Sequence, residues 1–184
     1  MIVTQQYEFM SRKPILIIIE GPDCSGKTSL AKFIANKLNA AYFHSTYTPA
    51  LSGQAQLDHL EQNLKNAEVC LTTSGLDVVM DRHWPSEHVY GKVLRNDLPK
   101  VAWFFSHCTQ LRVCYIFCLG EECKARHAEN ANPSHPYTDL QYNEIYNEYE
   151  RLADAMLHTN ENVWVYSIDI HGKNMLEYVE RLLK

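Results

Sequence analysis

The chain has 184 residues, of which 46% are hydrophobic and 21% charged, a composition typical of one globular domain with its own core. The net charge of −5 argues against a general nucleic-acid binder, because such proteins carry a basic stripe. The longest apolar run near the N-terminus, residues 15–19, is far short of the roughly 20 residues that a membrane span needs. These properties exclude disorder and a membrane partner, but they permit a small anionic ligand.

The spacing of the cysteines and the N-terminal sequence indicate the cellular compartment. No two of the six cysteines are spaced as Cys-x-x-Cys, so neither a zinc ribbon nor a thioredoxin-type site is predicted. No charged segment followed by an apolar stretch and a small-residue cleavage site opens the chain. The sequence therefore predicts a reducing, cytoplasmic location.

Strand-like and helix-like segments alternate along the chain. Residues 1–12 show no period and are interpreted as an N-terminal lead-in. Apolar runs predict strands at 14–20, 41–44, 76–80, 111–119 and 163–168. Helical spacing predicts helices at 27–38, through 57–67, after residue 85, at 100–109, at 121–127, at 142–156 with Glu148 facing out, and through 175–182. The alternation predicts a single three-layer α/β domain over residues 13–184, with a parallel sheet covered by helices.

A glycine-rich loop separates the first predicted strand from the first helix. Residues 21–28, Gly-Pro-Asp-Cys-Ser-Gly-Lys-Thr, match G-x-x-x-x-G-K-[ST]. Glycines let the backbone N–H groups turn toward a phosphate, and the positive end of the following helix dipole faces the same anion. The residues expected to bind ATP are Gly21, Asp23, Cys24, Ser25, Gly26, Lys27, Thr28 and Ser29. The alternative is an ordinary strand-to-helix turn with incidental Gly and Lys.

Two residues of this loop have specific expected roles. Lys27 would bridge the β- and γ-phosphate oxygens, and the Thr28 hydroxyl would ligate Mg²⁺. A second pair, Asp81-Arg82, ends the third predicted strand. A carboxylate there could hold Mg²⁺ through water or orient the acceptor, and the arginine offers a bidentate fork for an acceptor phosphate. The alternative for this pair is a surface ion pair at a strand end.

Two motifs together carry a family resemblance. Residues 20–28 (Glu-Gly-Pro-Asp-x-x-Gly-Lys-Thr) and 81–90 (Asp-Arg-His-x-x-Ser-x-x-Val-Tyr) resemble the thymidylate kinase family of P-loop nucleoside monophosphate kinases. The resemblance implies a five-stranded parallel core and a small lid at about residues 124–138. It also implies transfer of the ATP γ-phosphoryl group to the 5′-phosphate of a deoxynucleotide, and it suggests a homodimer.

The resemblance also implies roles for single residues. Asp23 matches a carboxylate near the deoxyribose 3′-hydroxyl, and Arg82 matches the arginine that grips the acceptor phosphate. Asp81 matches the neighbouring catalytic or Mg²⁺-linked carboxylate. Ser86 and Tyr90 match positions that line the acceptor pocket, with the tyrosine near the 2′ side of the sugar.

The cation over the moving phosphate is expected to come from the lid. In the resembled family this cation is supplied either by the phosphate loop or by the lid, and here the loop position holds the neutral Cys24. Arg126 is the first choice for it and Lys124 the second. The alternative for both is a solvated basic helix face.

The resemblance fails where the family recognises the base. No arginine lies within 44–49, and neither phenylalanine nor arginine lies within 51–73. Polar candidates in this region are Gln54, Gln56, Asp58, His59, Gln62 and Asn63, and Trp84 could either wall the pocket or pack. Without an aromatic stacker and a base-recognising cation, dTMP, a related or modified pyrimidine, or several deoxynucleoside monophosphates would fit as the acceptor.

Two alternative functions remain open from the sequence. A deoxynucleoside kinase shares the loop and an acid-arginine pair but accepts an unphosphorylated nucleoside. A nucleotide-binding regulator descended from a kinase would bind ATP without turnover. The spacing of the motif at 81–90 favours the monophosphate kinase over the first, and the intact Lys27 and Arg82 argue against the second.

Overall fold

A computed structural model describes residues 13–45, 53–97, 101–108, 110–129, 138–158 and 163–168. Several sequence-based predictions lie outside these residues. They are the lead-in at 1–12, most of the segment at 44–49, the lid loop at 130–137 and the closing helix at 175–182.

A parallel β-sheet forms the centre of the fold. Its strands are β1 (Leu16–Glu20), β2 (Ala41–His44), β3 (Val78–Asp81), β4 (Val113–Cys118) and β5 (Val163–Ile168). They lie in the order β2-β3-β1-β4-β5, and every neighbouring pair is parallel. All residues of β1, β3 and β4 are buried, as expected of strands covered on both faces.

Helices cover the sheet on two sides. They are α1 (Lys27–Leu38), α2 (Gly53–Thr72), α3 (Trp84–Arg95), α4 (Ala102–Cys108), α5 (Glu121–Glu129) and α6 (Asp139–Leu157). Alternate residues of β1 point to opposite faces: Ile17 and Ile19 pack with α1, whereas Leu16 and Ile18 belong to the cluster that includes buried residues of α2, α3 and α6. The predicted α/β class, a parallel sheet flanked by helices, is confirmed.

The sheet register brings the two sequence motifs together. Ile19 of β1 pairs with Asp81 at the end of β3, and β1 also pairs with β4 on its other side. The backbone N–H of Arg82 donates a hydrogen bond to the Ile19 carbonyl, 3.0 Å away. The glycine-rich loop and the Asp81-Arg82 pair therefore emerge side by side at the carboxyl ends of adjacent strands, where open α/β sheets bind ligands.

Two predictions about single residues are wrong. The third strand begins at Val78 rather than residue 76, since the preceding Asp77 uses its carboxylate to accept a hydrogen bond from the Ile15 backbone N–H at 2.9 Å. Glu148 does not face solvent. It is buried and accepts a hydrogen bond from Lys92 of α3 at 2.6 Å, so its charge is neutralised by a neighbouring helix. In the ranges given above, no helix has both the length and the apolar character that a membrane span requires.

Candidate active site

The loop after β1 needs glycine at two positions. Gly21 has φ of 144°, and a Cβ there would lie 2.6 Å from the Cys118 carbonyl oxygen. Gly26 has φ of 77° and precedes α1 without a side-chain cap. The first N–H groups of α1 therefore face the loop without competition from a capping side chain, as in an anion-binding helix terminus.

Lys27 is held inside this loop. Its buried Nζ donates a hydrogen bond to the Pro22 carbonyl at 3.0 Å and lies 3.5 Å from Asp23 Oδ1. Burial, reinforced by the nearby positive charge of Arg82, lowers the pKa of Lys27 to about 8. A phosphate that replaced the Pro22 carbonyl would restore a strong preference for the charged ammonium.

The other loop side chains differ in exposure. Thr28 and Cys24 are half-buried, Ser29 is exposed and Ser25 is buried. Within the described residues, Ser25 Oγ has no hydrogen-bond partner. Cys24 adopts a left-handed φ of 62°, which is uncommon for a residue with a side chain. Burial and the neighbouring Asp23 carboxylate raise the pKa of the Cys24 thiol, which therefore remains neutral.

Arg82 is the centre of the second half of the site. It has a left-handed φ of 71°, a strained conformation that costs on the order of 1 kcal/mol or more and is concentrated at functional sites. Its buried guanidinium donates to Ser86 Oγ at 3.0 Å and to the hydroxyls of Tyr149 at 3.2 Å and Tyr90 at 3.3 Å. It also forms an ion pair with the Asp23 carboxylate. The predicted residues Asp23, Arg82, Ser86 and Tyr90 thus meet in space.

Glu20 lies beneath this arginine and was not predicted as a site residue. Its fully buried carboxyl accepts hydrogen bonds from the His83 backbone N–H and from Ser86 Oγ, both at 2.6 Å. The Tyr149 hydroxyl adds a longer contact at 3.4 Å. Burial raises the pKa of Glu20 to about 7, and the hydrogen bond from Ser86 and the charge of Arg82 oppose that rise. The signal in the sequence was its place one residue before Gly21 in the resembled motif, whereas nothing local pointed to Tyr149.

The two carboxylate oxygens of Asp81 have different surroundings. Oδ2 accepts a hydrogen bond from the Tyr42 hydroxyl at 3.1 Å and lies 2.8 Å from His44 Nδ1. Oδ1 is buried and has no hydrogen-bond partner in the described part of the chain. Burial, together with the Asp81 charge, raises the pKa of Tyr42 to about 12. Buried unpartnered oxygens are rare in native proteins, so Oδ1 indicates a missing ligand, water or ion.

The two candidate lid cations lie in different surroundings on α5. Lys124 Nζ sits 4.2 Å from the centre of the Tyr146 ring, a cation–π contact with α6. Arg126 Nε donates to the Glu122 carbonyl of its own helix at 3.3 Å, and its positive charge acts on the Cys24 thiol of the loop. This effect on Cys24 relates Arg126 to the phosphate loop.

Tyr142 of α6 connects the loop with α5. Its hydroxyl lies 2.9 Å from the Asp23 carbonyl and 3.1 Å from the Cys123 carbonyl, and it can donate to either. Its ring stacks on His127 with centroids 3.8 Å apart. Nothing in the sequence indicates this role, because the ring also fits the apolar stripe of α6.

A pocket opens beside Arg82 between α2 and α3. It is lined by Ser45, Gln56, Leu60, Arg82, His83, Ser86 and Glu87. Among the polar candidates of α2, Gln56 is buried and reaches this pocket, whereas Gln54 bonds to Asp58 on the exposed side. Trp84 is buried in the core, with its indole N–H donating to the Tyr115 hydroxyl at 2.9 Å.

Sheet order, loop and the Asp81-Arg82 pair together define a class. The chain has the fold of the P-loop nucleoside monophosphate kinases. It is similar to the YorR protein of Bacillus subtilis, solved in complex with phosphorylated GDP, at 15% identity over 91% of this chain and 93% of that one, with a TM-score of 0.65.

Two further solved structures share this fold. Deoxyadenosine kinase from M. mycoides with bound dATP is 15% identical over 91% of this chain and 98% of that one, with a TM-score of 0.64. Thymidylate kinase from Candida albicans is 18% identical over 93% of this chain and 90% of that one, with a TM-score of 0.60. No model of a protein family matches the sequence, and comparison with curated proteins gives no match.

Proposed function

We propose that the chain is an ATP-dependent deoxynucleoside monophosphate kinase, similar to thymidylate kinase, that forms a deoxynucleoside diphosphate and ADP. The observation that carries this proposal is the place of the Asp23 carboxylate. It forms an ion pair with the buried Arg82 and lies 3.5 Å from the buried Lys27 Nζ. One anion therefore already lies between two buried cations, one in the first turn of α1 and one directly after β3, which is the arrangement that donor and acceptor phosphates would use.

The reaction is a single displacement at phosphorus. An oxygen of the acceptor monophosphate attacks the γ-phosphorus of ATP, the bond to the β–γ bridging oxygen breaks, and ADP leaves with that electron pair. Lys27 would bind the β- and γ-phosphates above the N-terminus of α1. Arg82 would hold the acceptor phosphate through its planar fork, which Ser86, Tyr90 and Tyr149 keep in a fixed orientation.

The residues present fit a magnesium ion. The buried Asp81 Oδ1 has no hydrogen-bond partner in the ranges described, and Thr28 provides a hydroxyl on the first turn of α1. Oxygen ligands of this kind, usually acting through water, are those that Mg²⁺ takes in kinase sites. When bound, the ion would neutralise charge on the β- and γ-phosphate oxygens. Thr28 and Asp81 are its proposed ligands.

Arg126 is the proposed cation of the lid, which includes α5 and the segment that follows it. Its charge acts on Cys24 in the loop, and closure of the lid would bring it over the transferred phosphoryl group. The remaining loop residues, Gly21 to Ser29, would cradle the triphosphate with backbone N–H groups. Tyr90 is proposed to stand near the sugar.

The cellular setting is part of the same proposal. All six cysteines are unpaired, which fits a reducing cytoplasm, and the negative net charge fits free nucleotides better than nucleic acid. A homodimer is proposed from the resemblance alone.

A deoxynucleoside kinase is the second candidate function. The pairing of Arg82 with Asp23 favours it, because this arginine has an anionic partner without any acceptor phosphate. In that reaction a 5′-hydroxyl would take the place of the acceptor phosphate.

The experiment is a panel assay of the purified chain with ATP and Mg²⁺, in which ADP release is measured with each deoxynucleoside monophosphate and each deoxynucleoside. We expect ADP release with at least one monophosphate and loss of it in Lys27→Ala. Release with nucleosides alone would establish the second candidate and reject the first. ATP binding without release for any acceptor would reject both kinase functions.

A further inference from the structure

Three buried polar atoms that line the pocket beside Arg82 have no hydrogen-bond partner within the described ranges. They are Gln56 Oε1, His83 Nδ1 and Glu87 Oε2. Their residues are only 5%, 1% and 2% exposed, so bulk water does not satisfy them. Because buried polar groups in native proteins are nearly always paired, three such atoms around one pocket indicate that bound water or a ligand supplies the matching groups.

His83 contributes an acceptor. Its Nε2 lies 3.1 Å from the Leu60 carbonyl oxygen, which can only accept a hydrogen bond, so Nε2 carries the ring proton. Burial lowers the pKa of His83 to about 4, and the ring is therefore neutral at physiological pH. Nδ1 is left with a lone pair that meets no hydrogen-bond donor among the described residues.

Glu87 and Gln56 contribute further hydrogen-bond acceptors to the pocket. One oxygen of Glu87 forms an ion pair with Arg95, which opposes the rise in the pKa of Glu87 that burial causes. The other oxygen has no hydrogen-bond partner among the described residues. The unpartnered atom of Gln56 is an amide oxygen, and the same amide carries an N–H group that can bond to a neighbouring ring nitrogen. The three unpartnered atoms of the pocket are therefore hydrogen-bond acceptors, and a ligand would have to supply donors for them.

We infer that this pocket selects a base with an exocyclic amino group (cytosine, adenine or guanine) over thymine or uracil, with Glu87 and Gln56 as specificity-determining residues. An amino group supplies two N–H donors for these acceptors. Thymine and uracil present one N–H between two carbonyl oxygens, and those oxygens would face the acceptor atoms of Glu87 and His83. Sites whose buried polar groups are left unpaired by the wrong ligand discriminate strongly against it.

The pocket lies beside the residues proposed to bind the acceptor, so the base that it selects is the acceptor base rather than the adenine of ATP. Arg82 and Ser86 line the same pocket, on the β3 side of the phosphate loop. The inference rests on the proposed function, because it places the acceptor base next to the arginine that would hold the acceptor phosphate.

Matched nucleotide pairs test the selection directly. Dissociation constants are measured by calorimetry for dCMP against dUMP, for dAMP against dIMP, and for dGMP against dIMP. Within each pair the members differ by an amino group and its accompanying ring or carbonyl change. We expect the amino member of at least one pair to bind about tenfold more tightly, as a hydrogen bond to a charged group predicts. Equal binding, or tighter binding of the oxo member, in all three pairs would overturn the inference.

Variants then assign the selection to the named residues. Glu87→Gln and Gln56→Ala should each reduce the preferred ratio several-fold while the dissociation constant of ATP stays unchanged. The matched controls are Glu148→Gln, a buried and ion-paired carboxylate of α6, and Gln62→Ala on the exposed side of α2. Both controls should keep the wild-type ratio. A preserved ratio in Gln56→Ala and in a folded Glu87→Gln would reject these residues as the determinants.

Binding measurements with nucleosides distinguish a wrong kinase function from a wrong base selection. If no monophosphate binds, the same comparison is made with deoxycytidine against deoxyuridine and deoxyadenosine against deoxyinosine. An amino preference among the nucleosides would uphold the base selection while rejecting the monophosphate kinase. Absence of binding for every monophosphate and nucleoside would reject both.

Discussion

The guanidinium of Arg82 at the end of β3 forms an ion pair with the carboxylate of Asp23 in the loop after β1. Both residues are part of the proposed site, and their pairing holds the two halves together before any phosphate arrives. An acceptor phosphate must share or displace the Asp23 carboxylate, so part of its binding energy is used to break an existing ion pair.

Replacement of Arg82 by lysine tests the fork geometry. Lysine keeps the positive charge but cannot donate to an anion through two parallel N–H groups. We expect Arg82→Lys to raise the KM of the acceptor monophosphate about tenfold or more and that of ATP much less. Steady-state kinetics with each substrate varied in turn gives the two values. Arg151→Lys, at the exposed arginine that pairs with Glu148 on α6, is the control. Equal increases for both substrates would show that Arg82 is not the acceptor clamp.

Lys27 should make ATP binding weaker as the pH rises in the alkaline range. Its pKa is about 8 in the free protein because of burial and the charge of Arg82, and only the ammonium form binds phosphate well. As pH rises above 8, we expect the dissociation constant of ATP to increase about tenfold per pH unit. Lys27→Ala should bind ATP weakly with no such slope and should lose activity by about 100-fold or more. Lys32→Ala, an exposed residue of the same helix, should keep both the slope and the activity.

Glu20 should make the free energy of unfolding depend on pH. Folding raises its pKa from 4.5 to about 7 through burial, so the stabilisation that it contributes is complete below pH 4.5 and is lost as pH rises through 7. The loss is on the order of 3 kcal/mol. Glu20→Gln is neutral at every pH and should not show this loss. Urea unfolding of both proteins at pH 5 and pH 8 measures the difference, and parallel pH dependence would contradict a buried titrating carboxyl.

Replacement by alanine should cost different amounts of stability at two glycines that both have a positive φ angle. Gly21→Ala places a Cβ 2.6 Å from the Cys118 carbonyl, and we expect it to cost about 3 kcal/mol or more. Gly75 has φ of 64°, and among the described residues no atom lies within 4 Å of a Cβ added there. Gly75→Ala should therefore cost only about 1–2 kcal/mol. Thermal unfolding of the two variants gives the comparison. Equal losses would mean that the loop does not approach β4 as closely as described.

The two lid cations can be separated by kinetics. Arg126→Ala should reduce kcat at least about 100-fold, because a cation over the transferred phosphoryl group stabilises charge in the transition state. Lys124→Ala should leave kcat nearly unchanged and lower stability by about 1 kcal/mol, since it removes the contact with the Tyr146 ring. A large loss of kcat in Lys124→Ala with a small one in Arg126→Ala would reverse the assignment.

Local patterns were sufficient to place most of the helices and strands that the structure describes. The α1 helix spans residues 27–38 as its apolar spacing predicts, because Gly26 and Asn39 mark both ends with left-handed backbone. Contacts between distant segments were not available from such patterns. Tyr149 lies 129 residues from Glu20 and Lys92 lies 56 residues from Glu148, so neither the buried carboxyl network nor the burial of Glu148 had a local signature.

Tyr142 has one hydroxyl proton and two carbonyl oxygens within reach, at Asp23 and at Cys123. One proton serves both acceptors, so the loop and α5 share a single donor. A movement of α5 away from Tyr142 would leave the bond to the Asp23 carbonyl uncontested, and a rearrangement of the loop would free the hydroxyl for α5. One hydroxyl group of α6 thus contacts both the phosphate loop and the helix that begins the proposed lid.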